Sequence, residues 1–132
     1  MNNKELVDKM NKDMNNGFIL NNNYKLLEIN NNSCIVEGTI TETSLNNFGI
    51  AHGGYIFGLA DTAAGIAAMS KGRKAVTLSS NINYLKKAKG NRLIAKTLCL
   101  KEGKNISNYE VSIYDEKDNL IAKATMEYFY ID

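Results

Sequence analysis

Residues 53–70 read GGYIFGLADTAAGIAAMS, and this segment is the part of the sequence most informative about the architecture. Asp61 is its only strongly polar side chain, and apolar side chains cover every face of a helical wheel. A helix with that pattern must be buried all round. Eighteen residues would be about 27 Å long, almost enough to cross a membrane, but Asp61 and the interspersed Gly and Thr argue against a span. We therefore expect a helix at the centre of a protein core.

Strand-like segments lie on both sides of this helix. Before it, residues 24–40 contain two short strands with a turn at residues 30–33, and a polar loop follows over residues 41–47. After it come four period-2 segments: Val76, Leu78, Ile82 and Tyr84 on one face, then residues 93–100, then Tyr109, Val111 and Ile113, then Ala122, Ala124, Met126 and Tyr128. The breaks at Gly90, Gly103 and Asp118-Asn119 are short enough to join antiparallel neighbours.

The order of elements is two strands, one helix and four strands. An antiparallel sheet curled around one long helix satisfies both the apolar helix and the one-sided alternation of the strands. Leu6, Val7, Met10 and Met14 fall at helical spacing and predict a short amphipathic N-terminal helix on the core. We expect an α+β fold in one domain over residues 1–132.

Composition excludes several classes of function. The net charge is +2, and the Lys and Arg residues are scattered, so nucleic acid is not an expected partner. Residues 1–16 contain no apolar run, so we expect neither a signal peptide nor a membrane anchor, and a cytoplasmic location. Cys34 and Cys99 have no second cysteine or histidine at metal-ligand spacing, so we expect buried free thiols and no metal.

The informative motif precedes and enters the central helix. Residues 46–54 read NNFGIAHGG, and Leu59-Ala60-Asp61 follows within the helix. This pattern resembles the signature of the PaaI-type hotdog-fold acyl-CoA thioesterases, an Asn followed by two residues and Gly, then His-Gly-Gly, then Leu-x-Asp. Residues 81–85 followed by Gly90 also look like that family's strand after the helix. The similarity covers most of the chain and implies the hotdog fold.

The residues suit thioester hydrolysis, which places negative charge on the carbonyl oxygen in the transition state. Gly53 and Gly54 open the helix, where amides lack intrahelical partners and a thioester can approach a backbone without Cβ atoms. The resemblance implies that the Gly53 N–H is the oxyanion donor and that Asp61 is the general base or nucleophile. A structural role for Asp61 is the alternative, although no Lys or Arg within residues 53–70 could pair with it.

Further roles also come from the resemblance. Asn46 would contact the carbonyl or the attacking water, His52 would orient the loop, and Thr77 would help to hold the water. The ordinary alternatives are a satisfied loop histidine for His52 and an unremarkable strand residue for Thr77.

The substrate groups follow in the same way. Gly54 would lie against the thioester, and basic residues at strand ends would receive the phosphates of CoA, unless they are only a solvated rim. The basic residues expected to bind these phosphates are Lys86, Lys87, Lys101 and Lys104. No cofactor is expected, since coenzyme A enters only as part of the substrate.

The spacing of Gly53 and Asp61 predicts a shared site. Eight residues of helix separate them by about 12 Å, whereas two groups serving one carbonyl can hardly be more than about 6 Å apart. Antiparallel packing of two helices about a two-fold axis would bring the Gly53 end of one subunit to Asp61 of the other. We therefore expect a homodimer with composite sites, and the resemblance implies pairing into a tetramer.

Three functions remain open. The first is hydrolysis of an aryl-acetyl or medium-chain acyl-CoA, and the second is hydrolysis of acyl carrier protein thioesters by the same fold. The third is a non-catalytic acyl-CoA-sensing module, which Asp61 and the short segment before Tyr24 disfavour. Fold alone does not separate these functions, because function depends on the site.

Overall fold

The computed structural model describes residues 1–132 and contains one six-stranded sheet. The helices are α1 (Asn3–Asp13), α2 (Gly17–Asn21) and α3 (Gly53–Ala68), and a 3-10 turn spans Glu42–Ser44. The strands are β1 (Tyr24–Asn30), β2 (Ser33–Thr39), β3 (Ala75–Tyr84), β4 (Arg92–Glu102), β5 (Ile106–Tyr114) and β6 (Leu120–Tyr130).

All neighbouring strands are antiparallel, in the order β1-β2-β4-β5-β6-β3. Helix α3 contacts all six strands, because its Leu and Ala side chains fill the space against the inward-facing residues of the sheet. The predicted architecture, an antiparallel sheet around a central helix with a short N-terminal helix, is confirmed. The predicted hairpin at residues 24–40 is β1 and β2, and Asn32 supplies a left-handed turn residue with φ 62°.

The prediction that α3 is buried all round is wrong on one side. The helix ends at Ala68, two residues before Ser70, and a stripe along it is exposed or half-buried. We call this set the Asp61 stripe: Gly54, Phe57, Gly58, Asp61 and Thr62. A single sheet can cover only one side of a helix, so the stripe on the other side has too few partners within one chain.

The first strand after the helix does not alternate regularly. Thr77 pairs with Tyr128 and Ser79 pairs with Glu127, so Leu78 is the extra residue of a β-bulge. A bulge exchanges the two faces of the strand beyond it. The prediction that Val76 lies on the same face as Ile82 and Tyr84 is therefore wrong.

The break at Gly90 does not join neighbouring strands, which corrects a second prediction. β3 pairs with β6 at one edge of the sheet, whereas β4 lies between β2 and β5. Residues 85–91 therefore cross the sheet, and the buried Ala88 accepts a hydrogen bond from the Ala51 N–H (3.0 Å) as the chain passes the start of α3. Antiparallel pairing of the helix-flanking strand with the last strand could not be read from loop length.

One edge strand of the sheet is covered within the chain, and the other is not. At β1, the Asn11 side chain of α1 accepts from the Leu26 N–H (2.9 Å) and donates to the Leu26 carbonyl (2.8 Å), which covers the edge. At β3, ten residues form an open edge, and Val76 and Leu78 are exposed. An uncovered strand of this length is a template for pairing with another chain.

The two cysteines differ in burial. Cys34 is buried and Cys99 is half-buried, and both are free thiols. None of the helices combines the length and the apolar character that crossing a bilayer would require.

Candidate active site

The start of α3 presents one free backbone donor. His52 is the N-cap, and its Nδ1 accepts a hydrogen bond from the Gly54 N–H (2.7 Å). The Gly53 N–H donates to no side chain or loop carbonyl, and the first residue of a helix has no intrahelical acceptor. Of the two glycine amides, Gly53 is thus the one left for an incoming oxygen, while His52 holds the turn that presents it.

Asn46 organises the loop that leads to this turn. Its Oδ1 accepts from the N–H groups of Phe48 (2.9 Å) and Ile50 (3.3 Å), and its own N–H donates to the Ile50 carbonyl (2.8 Å). The side-chain Nδ2 has no partner within the chain. The amide nitrogen of Asn46 is therefore the donor that remains available to a ligand.

Asp61 lies two helical turns further along α3 and is held by two hydroxyl groups. Thr77 Oγ1 donates to Asp61 Oδ1 (2.7 Å), and the Tyr128 hydroxyl donates to the same oxygen. Asp61 forms no ion pair, and its Oδ2 receives no hydrogen bond. The carboxylate is thus oriented by neutral donors, and one oxygen stays free.

The bulge in β3 explains why one strand reaches α3 at two points. Thr77 contacts Asp61, and the Tyr84 hydroxyl donates to the Gly53 carbonyl (2.8 Å). Thr77 and Tyr84 are seven positions apart, so strict alternation would put them on opposite faces. The extra residue Leu78 places both on the helix side.

Two cavities lie beside the start of α3 and share Lys86 and Lys87. One has a volume of about 360 Å³ and a mostly apolar wall, and we call it the Gly53 cavity; it is lined by Ile50, Ala51, Gly53, Ile56, Tyr84, Leu85, Lys86, Lys87 and Ala88. The other has a volume of about 660 Å³, and we call it the lysine cavity; it is lined by Lys86, Lys87, Lys89, Gly90, Asp115, Glu116, Lys117 and Asn119.

The two carboxylates of the lysine cavity, Asp115 and Glu116, accept hydrogen bonds from nearby loop residues. Asp115 accepts from the Asn119 side chain and from the N–H of Lys117, and these hydrogen bonds hold its pKa below the ordinary value. Glu116 accepts from the Asn91 N–H. None of the lysines of this cavity forms an ion pair. They are therefore free to meet an anion.

The other two predicted basic residues lie elsewhere. Lys101 lies in the last part of β4 and Lys104 follows that strand, and the Lys104 carbonyl accepts from Arg73, just beyond the end of α3. The helix is about 24 Å long at 1.5 Å per residue, so these lysines and the pair Lys86 and Lys87 lie at its opposite ends. Within one chain they cannot serve the same phosphate group.

One chain does not bring the two halves of the predicted chemistry together. Gly53 lines the Gly53 cavity, but Asp61 lines neither cavity and opens onto the half-buried stripe of α3. Eight residues of helix keep the Gly53 amide about 12 Å from Asp61. No group of three or more His, Cys, Asp or Glu side chains lies close enough to hold a metal ion.

Sequence reasoning missed the two tyrosines of this site. Alternation gives Tyr128 only as one of four period-2 residues of the last strand, and the pairing of β6 with β3 is what brings it beside Thr77 and Asp61. Alternation puts Tyr84 on one face with Val76 and indicates no role for its hydroxyl, which donates to the Gly53 carbonyl. Alternation indicates which face a tyrosine occupies, but not what its hydroxyl meets.

Comparison with known proteins matches residues 48–122 to the thioesterase superfamily. The acyl-coenzyme A thioesterase PaaI of Escherichia coli is 30% identical over 98 residues, which are 74% of this chain and 70% of that protein. Its structure superposes with a TM-score of 0.88 at 23% identity, covering 97% of this chain and 93% of that one. The chain spans between 51% and 70% of the lengths of the curated relatives it matches.

Two streptococcal structures are more similar in sequence. A hypothetical thioesterase protein of Streptococcus pneumoniae, solved with coenzyme A, is 34% identical with a TM-score of 0.77, and the match covers 81% of this chain and 84% of that one. The smu.793 protein of Streptococcus mutans, bound to acetyl-CoA, is 35% identical with a TM-score of 0.77, covering 81% and 87%. The S. pneumoniae protein was also solved with an aspartate or a threonine replaced by alanine, and these two residues are sixteen positions apart.

Proposed function

We propose that this chain, which belongs to the thioesterase superfamily and is a PaaI-like thioester hydrolase, acts on an acyl-CoA. In this proposal Asp61 is the catalytic carboxylate. The carrying observation is Asp61 itself, a half-buried carboxylate that no cation neutralises and that two hydroxyls orient. Asp61 and Thr77 are sixteen residues apart, as are the aspartate and threonine replaced in the S. pneumoniae thioesterase.

The reaction needs few parts. The Gly53 N–H, assisted by the Asn46 amide, stabilises the oxyanion that forms on the thioester carbonyl. Asp61 Oδ2 either deprotonates a water that attacks the carbonyl carbon or attacks it directly to give an anhydride that water then hydrolyses. In both routes the carbon–sulfur bond breaks, CoA leaves as the thiol, and the acid is released.

The site is composite in this proposal. The free Gly53 amide and Asp61 are too far apart in one chain, and the Asp61 stripe and the open β3 edge are both uncovered. Pairing of two β3 edges about a two-fold axis would lay the two α3 helices antiparallel and bring each Gly53 to the partner's Asp61. We expect such dimers to pair into a tetramer.

Lys86 and Lys87 are the proposed phosphate contacts. They line both the mostly apolar Gly53 cavity and the lysine cavity, so a pantetheine arm in the first would bring the phosphates of CoA towards the second. Coenzyme A is bound by the S. pneumoniae relative, which supports CoA as the carrier group.

The acyl group is proposed to be aryl-acetyl or medium-chain. The PaaI of E. coli comes from a phenylacetic acid degradation operon. On the Asp61 stripe, Phe57 is half-buried, and the exposed Phe18 ring of α2 lies over Gly58, one turn from Asp61. An aromatic wall beside the carboxylate suits an aryl or a flexible apolar acyl group.

The test is free-thiol release from a panel of acyl-CoAs, run beside the same acyl groups on acyl carrier protein. Asp61→Asn should lower kcat by about 10² to 10⁴-fold, the usual contribution of a base or nucleophile. Asp8→Asn, the same change on the exposed face of α1, is the matched control and should retain full activity. Binding of acyl-CoA without hydrolysis would contradict the proposal and favour a sensing module.

Ionic strength tests the phosphate contacts. KM for the CoA thioester should rise between about 0.05 and 0.5 M salt while kcat stays level, because exposed lysines are screened. Lys86→Gln with Lys87→Gln should raise KM at low salt and flatten this rise. The pair Lys101→Gln with Lys104→Gln reports whether the other end of α3 contributes. A KM that does not change with salt concentration would contradict the assignment of the CoA phosphates to the lysine cavity.

A further inference from the structure

Resting on the proposed role of Asp61, we propose that Tyr128 is a positioning residue of the hydrolysis, which holds Asp61 Oδ1 with its hydroxyl so that Oδ2 is the oxygen that acts. Tyr128 donates to Asp61 Oδ1 and also contacts the Asp61 backbone carbonyl. Thr77 donates to the same Oδ1 (2.7 Å). Two donors on one oxygen make the two carboxylate oxygens inequivalent and fix the side chain in one orientation.

The fold places Tyr128 there by strand pairing. Tyr128 on β6 is the direct partner of Thr77 on β3, so both side chains project from the same face of the sheet toward α3. The Tyr128 side chain is buried, and its ring packs edge-on against Tyr109 with centroids 6.5 Å apart. A ring held on that side has little freedom to withdraw its hydroxyl.

The hydroxyl is a donor throughout the acid and neutral range, because a tyrosine ordinarily ionises only at about pH 10. Burial, and then the charge of Asp61, raise the pKa of Tyr128 above its ordinary value. The titratable groups close to Tyr128 are Cys34 from β2 and Tyr109 from β5, and Tyr24 from β1 lies near Asp61; burial raises the pKa of each, that of Cys34 to about 12. These neighbours are therefore neutral at ordinary pH, and Tyr128 acts on Asp61 as an uncharged donor.

A neutral donor affects catalysis in a definite direction. A hydrogen bond to the charged form of a carboxylate favours that form, and a charge-assisted bond of this kind contributes roughly 10- to 100-fold in an equilibrium. Removing it should leave less of the ionised carboxylate at low pH and release the side chain from its single orientation.

The experiment is Tyr128→Phe, which keeps the ring and removes the hydroxyl. We expect kcat to fall about tenfold or more, KM to change little, and the acid limb of the pH profile of kcat/KM to move to higher pH. Tyr130→Phe is the matched control: it removes a buried hydroxyl from the same face of β6, where the partners are Ser107 (2.8 Å) and the Ala68 carbonyl (3.3 Å). That variant should keep the wild-type rate and pH profile.

If the Tyr128→Phe chain fails to fold, a second substitution at the same position still tests the proposal. 3-Fluorotyrosine introduced at position 128 alone keeps the hydroxyl and makes it a stronger donor, so the acid limb should move to lower pH. Wild-type kcat and an unmoved acid limb in folded Tyr128→Phe, or no shift with 3-fluorotyrosine, would overturn the role of Tyr128. The proposed function itself fails separately, if the wild type does not hydrolyse acyl-CoA or Asp61→Asn remains active.

Discussion

At the scale of single residues, the surroundings of Asp61 fit the proposed catalytic role better than a structural role. A structural carboxylate at this depth would normally be paired with a cation, because burying an unpaired charge is costly. Asp61 instead has two hydroxyl donors on one oxygen and an unbonded second oxygen. The alternative of a carboxylate satisfied by a distant Lys has no support, since no Lys contacts it.

Thr77 offers a test at the same scale. Thr77→Val preserves the β-branched shape and removes the 2.7 Å bond to Asp61, so kcat should fall by roughly 10-fold, as expected for one hydrogen bond to a charged group. Thr77→Ser keeps the hydroxyl and should retain most of the rate. Equal rates for the Val and Ser variants, measured by thiol release, would show that Thr77 is an ordinary strand residue.

At the scale of elements, α3 and β3 meet through departures from regular structure. The β-bulge at Leu78 directs Thr77 to Asp61 and Tyr84 to Gly53, and glycines at 58 and 65 let aromatic side chains approach the helix. A bulge near a functional site commonly re-aims side chains in this way. The sheet therefore supports α3 at its start and at its middle.

The two glycines should respond differently to alanine. A Cβ on Gly58 would lie 2.5 Å from the Tyr24 hydroxyl, which donates to the Tyr55 carbonyl at 2.6 Å, whereas a Cβ on Gly65 would meet the Tyr128 ring at an ordinary 3.4 Å. Overpacking costs about 1–3 kcal/mol, and Ala in a helix recovers about 1 kcal/mol. Thermal unfolding should show a Tm lowered by up to about 6 °C for Gly58→Ala and unchanged or raised for Gly65→Ala. The reverse order would contradict the packing described for Gly58.

At the scale of the whole molecule, the proposed site requires two copies of the chain. We expect Asn46→Ala and Asp61→Ala chains, denatured and refolded together, to recover about a quarter of wild-type activity. About half of the dimers would be mixed, and each would hold one intact and one doubly damaged site. Sites contained within one chain would show no recovery beyond the residual rates of the two variants.

A second mixture serves as the control for this experiment. When wild-type chains are refolded with an equal amount of chains carrying both substitutions, composite sites are damaged in every mixed dimer, and about a quarter of the activity should remain. Sites within one chain would leave about half. The two mixtures therefore give opposite answers for the two arrangements, whatever the absolute rate of the enzyme.

The order of elements, the antiparallel sheet with its central helix and the family could all be predicted from the sequence alone. These follow from local patterns: apolar residues on every face of residues 53–70, period-2 alternation in the strands, and the spacing of Asn46, His52, Gly53 and Asp61. Local patterns report what a segment buries, and the family motif adds the residues around the start of α3.

The contacts that each side chain makes became known only from the folded structure. Pairing of β3 with β6 put Tyr128 and Thr77 on one oxygen of Asp61, and the bulge at Leu78 turned Tyr84 toward Gly53. Neither contact could be predicted from the sequence, because strand order and a one-residue bulge depend on partners far away in the chain, and a single extra residue exchanges the faces of a strand. The separation of Lys101 and Lys104 from Lys86 and Lys87 has the same origin, since the two pairs lie at opposite ends of a helix that local patterns do not orient against the sheet.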